Sequence, residues 1–313
     1  MKAAVVERYG QPEVVSVREV PDPAAGAGQV VVRVAATTVN SGDARIRGAR
    51  FPRGFATPAR LVLGVRGPRR QVLGVTLSGV VEQVGGRVTG LAVGDEVCGM
   101  TGAGMGAHAE LVAVKADKLV RKPAAVSHAD AAAVLFGGST ALHFLRDRVR
   151  PGTAVLVNGA SGSVGAAAVQ LAHRAGGRVT GVCGPTNGAL VESLGAAAVI
   201  DYARTPLDTV AERYDVVLDT VGSISPAVGR SLLAPGGVLL LVVADLWSTL
   251  RARGDVVAGV APERAEDFTA LLELVESGEL RTVVDRTLPL ADVVEAHRIV
   301  DSGRKVGNLV VTP

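Results

Sequence analysis

Asn158-Gly-Ala-Ser-Gly-Ser-Val-Gly165 is the stretch on which the reading of this chain turns. Ahead of it runs the apolar segment Ala154-Val-Leu-Val157, and behind it the helix-forming run Ala166-Ala-Ala-Val-Gln-Leu-Ala172. Strand, glycine turn and helix in that order bare backbone N–H groups at a helix N-terminus, where a pyrophosphate can be held. Gly162 lets the backbone approach the phosphates, and Gly165 lets the helix pack closely on the strand. Ala160 stands where the usual fingerprint has its first glycine, so the pattern is A-x-G-x-x-G. A turn of this kind also serves purely structural strand–helix connections, so the surrounding sequence has to decide.

Downstream of about residue 121 the chain alternates strands with helices. Ser127 is placed to N-cap the first helix, with Asp130 at the capping-box position. Strands are expected at 154–157, 178–183, 197–200, 215–219 and 237–243, separated by amphipathic runs such as Asn187-Gly-Ala-Leu-Val-Glu-Ser-Leu194. This alternation predicts a parallel sheet with helices on both faces. Residues 1–120 read as mostly strand: Val30-Val-Val-Arg-Val-Ala-Ala36, Gly79 to Val84, Glu96 to Cys98 and Ala109 to Val114, separated by glycine turns. Short strands at that spacing predict a barrel-like β domain. The last segment ends in a strand, Gly307-Asn-Leu-Val-Val-Thr312, expected to return to the first domain.

A length of 313 residues favours two domains. Aromatic residues make up only 3% against 48% hydrophobic, so the cores must be built from Val, Leu and Ala. The net charge of +3 rests on 28 Arg and five Lys, a bias that reads as codon composition rather than nucleic-acid binding. Cys98 and Cys183 belong to no ligand cluster, which leaves a disulfide framework and a structural zinc site unsupported and predicts buried spectator thiols. The N-terminus carries Glu7 and no long apolar core, and no run reaches the ~18 apolar residues a membrane span needs. A cytoplasmic protein with no membrane or nucleic-acid partner is expected.

With these residues in place, the chain resembles the zinc-independent quinone oxidoreductase (zeta-crystallin-like) branch of the medium-chain dehydrogenase/reductase superfamily. The likeness runs through Val39-Asn40-Ser-Gly-Asp43, Leu73-Gly74, Ser78-Gly-Val-Val-Glu-Gln-Val-Gly85, Val93-Gly-Asp-Glu-Val97, Gly106-Ala-His-Ala-Glu110 and Gly138-Ser-Thr-Ala-Leu142. Beyond the glycine turn it continues through Leu194-Gly-Ala196, Ile200-Asp-Tyr202 and Pro235-Gly-Gly237. It implies an α/β chain with a GroES-like β-barrel catalytic domain (1–122 and 285–313) plus a Rossmann domain with a doubly wound parallel sheet (123–284), and a cofactor in the cleft between them. Relatives commonly form a homodimer through the last Rossmann strand, here the apolar run Val238-Leu-Leu-Leu-Val-Val243, which would be an exposed edge in a monomer.

The nicotinamide form is read at the end of the second Rossmann strand. An NAD site places an acid there for the ribose 2′-OH. Here Arg178-Val-Thr-Gly-Val-Cys183 runs into Gly184-Pro-Thr-Asn187 without one, which favours NADPH. The resemblance puts Gly184, Thr186, Asn187 and Tyr202 around the 2′-phosphate, with Arg204 as a further cation or else a solvated loop residue. It places Ala160, Ser161, Gly162, Ser163, Val164 and Gly165 at the pyrophosphate, and adds Asn40, Thr140, Val243 and Asn308 to the cofactor set.

Zinc dehydrogenases of the superfamily polarise their substrate with a metal held by a thiolate and an imidazole. The position of the first ligand is here Asn40-Ser-Gly-Asp43, without Cys, so no metal is expected. An acceptor already activated, an enone or quinone, needs only hydrogen-bond donors at its carbonyl oxygen. Asn40 is the candidate donor, or alternatively a turn residue holding its own backbone, and Asp43 a local cap. Thr140 is expected along the ribose and nicotinamide. His108 stands where the family has an aromatic residue, as a proton donor or as a packed structural histidine. His128, His143, His173 and His297 are given surface or packing roles. Phe51 replaces the family's tyrosine and removes its hydroxyl, while Trp247 could wall the substrate or pack between domains. Residues 45–70 carry eight arginines and no acids, read as attraction for an acidic substrate or carrier protein, or as a solvated loop. Two rival functions share the cofactor: an enoyl reductase of secondary metabolism acting on a carrier-bound or polycyclic intermediate, and an NADPH-binding sensor or structural protein without turnover.

Overall fold

The computed structural model describes residues 1–313 and has this order of elements: β1 (Lys2–Val6), β2 (Val15–Glu19), β3 (Gln29–Val39), α1 (Ser41–Gly48), α2 (Ala56–Leu63), β4 (Thr76–Val84), β5 (Glu96–Met100), β6 (Leu111–Lys115), β7 (Leu119–Arg121) and α3 (His128–Leu145). There follow β8 (Ala154–Asn158), α4 (Ser163–Arg174), β9 (Arg178–Cys183), α5 (Gly188–Ser193), β10 (Ala198–Asp201), β11 (Tyr214–Asp219), α6 (Pro226–Ser231), β12 (Leu233–Leu241), α7 (Leu246–Leu250) and β13 (Val256–Ala258). The chain closes with α8 (Ala265–Glu276), β14 (Val284–Pro289), α9 (Val293–Asp301) and β15 (Asn308–Thr312). Two compact units result: Met1–Phe51, Phe55–Phe136 and Glu263–Pro313 form one, and Pro52–Gly54 with Gly137–Pro262 the other. The units divide inside α3 and ahead of α8, against borders expected from the sequence at 122/123 and 284/285.

The first unit is the mixed barrel that the resemblance implies. Its seven-stranded sheet runs β14-β15-β3-β4-β5-β7, with β6 also on β3. β3 is long enough to serve several neighbours, taking β6 along Gln29–Arg33, β15 along Thr37–Val39 and β4 opposite. Its alternation sends Val30, Val32 and Val34 into a core shared with Leu77, Val81, Val97 and Val112. β-Branched residues suit that pleated, half-buried surface. The expected return of the C-terminus is realised by β15, which pairs antiparallel with β3. At the start of α3 the Ser127 Oγ accepts the Asp130 N–H at 3.0 Å, as a cap should, and donates to the Asp130 carboxylate at 2.6 Å.

The second unit holds a six-stranded sheet in the order β10-β9-β8-β11-β12-β13, every pair parallel. Numbered from its own first strand, β8, that order is 3-2-1-4-5-6, the doubly wound dinucleotide topology, with its switch point between β8 and β11. β8 is buried along its whole length, as a central parallel strand covered on both faces must be. Leu156, Val182, Val217, Leu239 and Leu241 share one core there.

Two expectations are corrected. The run 238–243 is no exposed edge: β13 covers β12 through Leu239↔Val256, Leu240↔Val257 and Leu241↔Ala258, so the free edge is the short β13. Residues 45–70 are a solvated loop only in part: Arg50, Arg53, Arg60, Arg66, Arg69 and Arg70 are exposed, as that reading has them, but the stretch is not all loop. It includes the end of α1 and all of α2, and Arg47 is 0% exposed. Its guanidinium donates to Gly10 O and to the Asp301 carboxylate, a residue 254 positions away that also pairs with Arg50. Both cysteines are free and buried, and burial pushes the Cys98 thiol up to about 12.

Candidate active site

The glycine turn lies at the C-terminal end of β8, beside the switch point. The residue that must adopt a left-handed conformation is Gly159, at φ 80°, one position before the fingerprint's first site. Ala160 is tolerated for that reason. Its own N–H donates to Val182 O at 2.9 Å, and its methyl group is fully buried against Gly181. It therefore packs the turn on β9 and offers a ligand no side-chain surface. Gly165 permits the close approach of α4, because a Cβ there would lie 2.1 Å from Gly159 O. A Cβ on Gly162 would meet nothing nearer than Gly159 O at 3.4 Å. Gly162 is also the N-cap of α4 and makes no side-chain cap bond. Gly162 thus puts no side chain of its own over the first backbone N–H groups of α4, at the positive end of the helix.

Residues distant in sequence support this edge. Asp219, fully buried at the end of β11, accepts Asn158 Nδ2 at 2.9 Å and the N–H groups of Val221, Gly222 and Ile224 at 2.9–3.0 Å. Asn158 Nδ2 also donates to Ser223 Oγ at 2.9 Å. Sequence reasoning missed both as organisers of the switch point, although an acid closing an apolar strand before Thr-Val-Gly-Ser was a usable sign. Val243 lies against Gly222 in the same loop layer. Gly137 of α3 has no room for a Cβ beside Ser163, so α3 crosses the start of α4 closely and carries Thr140, nearly buried, one turn further on.

At the end of β9, the Asn187 amide donates to Ser161 Oγ at 3.1 Å and ties this loop to the glycine turn. The Tyr202 hydroxyl lies over Gly184, within 3.2 Å of where a Cβ would stand, and its ring is 62% exposed. Thr186 is exposed beside them. Asp201 is the nearby acid, since it is the Cα partner of Cys183 across β9 and β10. It is engaged: its carboxylate accepts the Ala203 N–H at 3.0 Å and faces Arg204 Nε at 3.6 Å. Gly184, Thr186, Asn187, Tyr202 and the exposed Arg204 therefore form one lobe, while Ser161 joins it to the phosphate turn.

In the barrel unit, Asn40 caps α1. Its Oδ1 accepts the N–H groups of Gly42 at 2.7 Å and Asp43 at 3.2 Å, and the Asp43 carboxylate returns the cap by accepting the Asn40 N–H at 2.9 Å. Accepting two backbone donors fixes which end of the amide is oxygen. Asn40 Nδ2 is then a buried donor with no partner. The other Asp43 oxygen accepts the Gly74 N–H at 3.2 Å. Burial holds the Asp43 carboxyl above its usual range, opposed by His108 and by the two backbone donors. In Asn40 the oxygen thus holds the turn, and the nitrogen is spare.

His108 is 1% exposed, with Nε2 3.0 Å from Thr38 O and 3.9 Å from the Asp43 carboxylate, and it meets His297 edge to face at 6.1 Å between ring centres. Neither ring nitrogen of His297 has a partner, and burial pulls its pKa down to about 2, with the neighbouring charges of His108 and the arginines adding to the effect. These are the contacts of packed histidines. The remaining expected site residues are placed as follows. Asn308 opens β15 and donates from Nδ2 to Val283 O at 3.1 Å. Phe51 closes the first barrel segment, half-buried. Trp247 stands on α7 of the other unit, 57% exposed with the Arg251 guanidinium over its ring at 5.6 Å.

Residues 26–124 match the family described as alcohol dehydrogenase GroES-like domain, and residues 194–311 the one described as zinc-binding dehydrogenase. A quinone oxidoreductase of Pseudomonas aeruginosa is 30% identical, the match covering 97% of each chain. An NADPH-dependent alkenal/one oxidoreductase of Arabidopsis thaliana chloroplasts is 29% identical over 100% of this chain and 80% of its own. The solved Escherichia coli quinone oxidoreductase complexed with NADPH superimposes with a TM-score of 0.85 at 25% identity, covering 100% of both chains. The zinc named in one family description finds no seat in this chain's donors. No three His, Cys, Asp or Glu side chains converge, both Asp43 oxygens are engaged by backbone N–H groups, and Cys98 is buried in β5.

Proposed function

The chain belongs to the zinc-independent quinone oxidoreductase branch of the medium-chain dehydrogenase/reductase superfamily, and from that premise we propose that it is an NADPH-dependent reductase of quinones and enones that works without a metal. The observation that carries the reading is Asn40, a buried amide whose oxygen is tied to the backbone and whose nitrogen is left with two N–H bonds to give. Without a Lewis acid, oxidation of a plain alcohol to a ketone becomes difficult. A conjugated carbonyl needs less, because the electrons of an incoming hydride delocalise onto its oxygen, and a fixed donor there stabilises the enolate or hydroquinone anion as it forms.

The chemistry that bound NADPH supplies is a hydride. The first turn of α4 and Gly162 would hold its pyrophosphate. Gly184, Thr186 and Tyr202 would surround the 2′-phosphate, and the exposed Arg204 would turn from Asp201 to meet it, leaving the Asp201 carboxylate on the Ala203 N–H. Asp219 and Asn158 keep the strand ends rigid, which is what positioning demands. In the barrel, Asn40 Nδ2 donates to the acceptor oxygen while Asp43 and the Gly74 N–H hold the cap still. His108 keeps its structural contacts, and Phe51 brings no hydroxyl, so the proton that completes the reduction is taken from solvent. Consumption of NADPH, followed by its absorbance with quinones, enones, simple aldehydes and simple alcohols, tests the reading. Turnover of quinones and enones with chelator present is expected. Turnover confined to alcohols and dependent on added zinc would overturn it.

A further inference from the structure

We propose that α2 and the turn that follows it form a docking surface for an anionic lipid membrane. α2 has no buried residue, and only the half-buried Leu63 packs against the barrel core. Leu61, Val62 and Val65 point outward at 62%, 70% and 65% exposure, three large aliphatic side chains within five positions. Isolated exposed aliphatics are ordinary on any surface, whereas a cluster of them marks an interaction site. Around the cluster stand the exposed Arg60, Arg66, Arg69 and Arg70, in a stretch from 45 to 70 that holds no acid. Apolar residues set among cations on one short helix are what a headgroup layer binds: the aliphatics enter the acyl boundary and the guanidinium groups meet the phosphates.

The surface is built to stay presented. The Tyr9 hydroxyl donates to Gly64 O at 2.6 Å, the Arg60 guanidinium lies 5.8 Å above the Tyr9 ring, and the Arg69 N–H closes the turn on Leu63 O at 2.6 Å. The acid nearest in the chain to this anchor, Glu7, is paired with Arg18 at 2.9 Å and so does not neutralise the patch. Exposed aliphatics interleaved with guanidinium groups complement an anionic lipid surface in both charge and polarity. A bilayer needs no complementary shape. The proposal concerns where the protein sits, so it stands or falls separately from the reaction assigned to it.

Sedimentation of the full chain with vesicles tests it. Vesicles of phosphatidylcholine alone should leave the protein in solution, and vesicles with an equal part of phosphatidylglycerol should pellet it at low salt and release it at high salt. Replacing Leu61 and Val62 together by Asp should abolish pelleting, and each of Arg66→Gln and Arg69→Gln should weaken it roughly fivefold. NADPH binding and thermal stability of these variants, read alongside, should match the parent protein. The proposal is overturned if anionic vesicles do not pellet the protein, if neutral vesicles pellet it equally, or if the Leu61 and Val62 replacements change nothing. It is equally overturned if an acidic protein competes for the patch while lipid does not bind.

Discussion

Asn40 and Asp43 cap each other across the first turn of α1, each accepting the other's backbone N–H, at 3.2 Å for the Asn40 Oδ1 and 2.9 Å for the Asp43 Oδ2. The arrangement separates the two ends of the Asn40 amide into a structural oxygen and an uncommitted nitrogen. Serine is as good an N-cap as asparagine and has no amide. Asn40→Ser should therefore cost little stability while lowering kcat for quinones by roughly a hundredfold, the effect of losing one preorganised oxyanion donor. Asn40→Ala should lose the same activity and about 1 kcal/mol of stability as well. Steady-state kinetics set beside urea denaturation separate the two, and an Asn40→Ser enzyme of normal kcat would remove Asn40 from the reaction.

The glycines of the turn differ in what they tolerate. Gly162→Ala introduces a methyl group with no neighbour nearer than 3.4 Å, so the protein should fold normally and lose NADPH affinity, since the methyl occupies the phosphate approach. Gly165→Ala drives a methyl to 2.1 Å from Gly159 O and should lower the melting temperature markedly. Thermal unfolding with and without NADPH distinguishes them. A Gly162→Ala variant that NADPH stabilises as well as the parent would place the pyrophosphate elsewhere.

Thr186 is exposed in the lobe with Tyr202 and Arg204. An acid introduced there would repel a 2′-phosphate and accept a ribose hydroxyl. Thr186→Asp should raise KM for NADPH about tenfold and leave KM for NADH the same or lower, a change of ~1.4 kcal/mol in one direction only. Equal effects on both nucleotides would argue against a 2′-phosphate site at this loop.

Burial holds His297 neutral down to a pKa of about 2, against 6.5 for an ordinary histidine. The unfolded chain takes up a proton there as pH falls below about 6.5, and the folded chain does not. Stability from this group is thus complete above about pH 6.5 and is lost as pH falls towards 2, by ~1.4 kcal/mol per pH unit. His297→Met should flatten the stability profile between pH 6 and pH 5 by about 1 kcal/mol. Urea midpoints at these pH values for the two proteins check it, and parallel profiles would mean that His297 is protonated in the fold.

Arg47 is fully buried and paired with Asp301. Removing Arg47 leaves Asp301 with Arg50 alone and strands the carbonyl of Gly10, so Arg47→Met should cost about 2 kcal/mol, less than a buried charge left with no partner. The double variant with Asp301→Asn should recover part of that loss, since the largely buried carboxylate no longer has to be held by the half-exposed Arg50 alone. Denaturant unfolding of both variants provides the measurement, and a single variant as stable as the parent would show that the pair contributes nothing.

The glycine turn and the alternation around it were legible in the sequence because strand period, helix caps and turn glycines are local properties of neighbouring residues. Ser127 with Asp130 and the run from Ala154 to Ala172 read correctly on those grounds. The lack of an acid after Cys183 and of a cysteine near Asn40 is equally local, and both bear directly on the chemistry. What tertiary structure alone decided depends on residues brought together from afar. β13 covers β12, and so the apolar run at 238–243 is no edge. Asp301 draws Arg47 out of what reads as a solvated basic stretch. Asp219 ties down the switch point from 61 positions beyond Asn158. Asn40 shows the division within one side chain: its place as a helix cap follows from its neighbours, but burial of its spare nitrogen is set by the barrel packed around it. Burial and pairing are sums over the whole fold, and no window of sequence contains them.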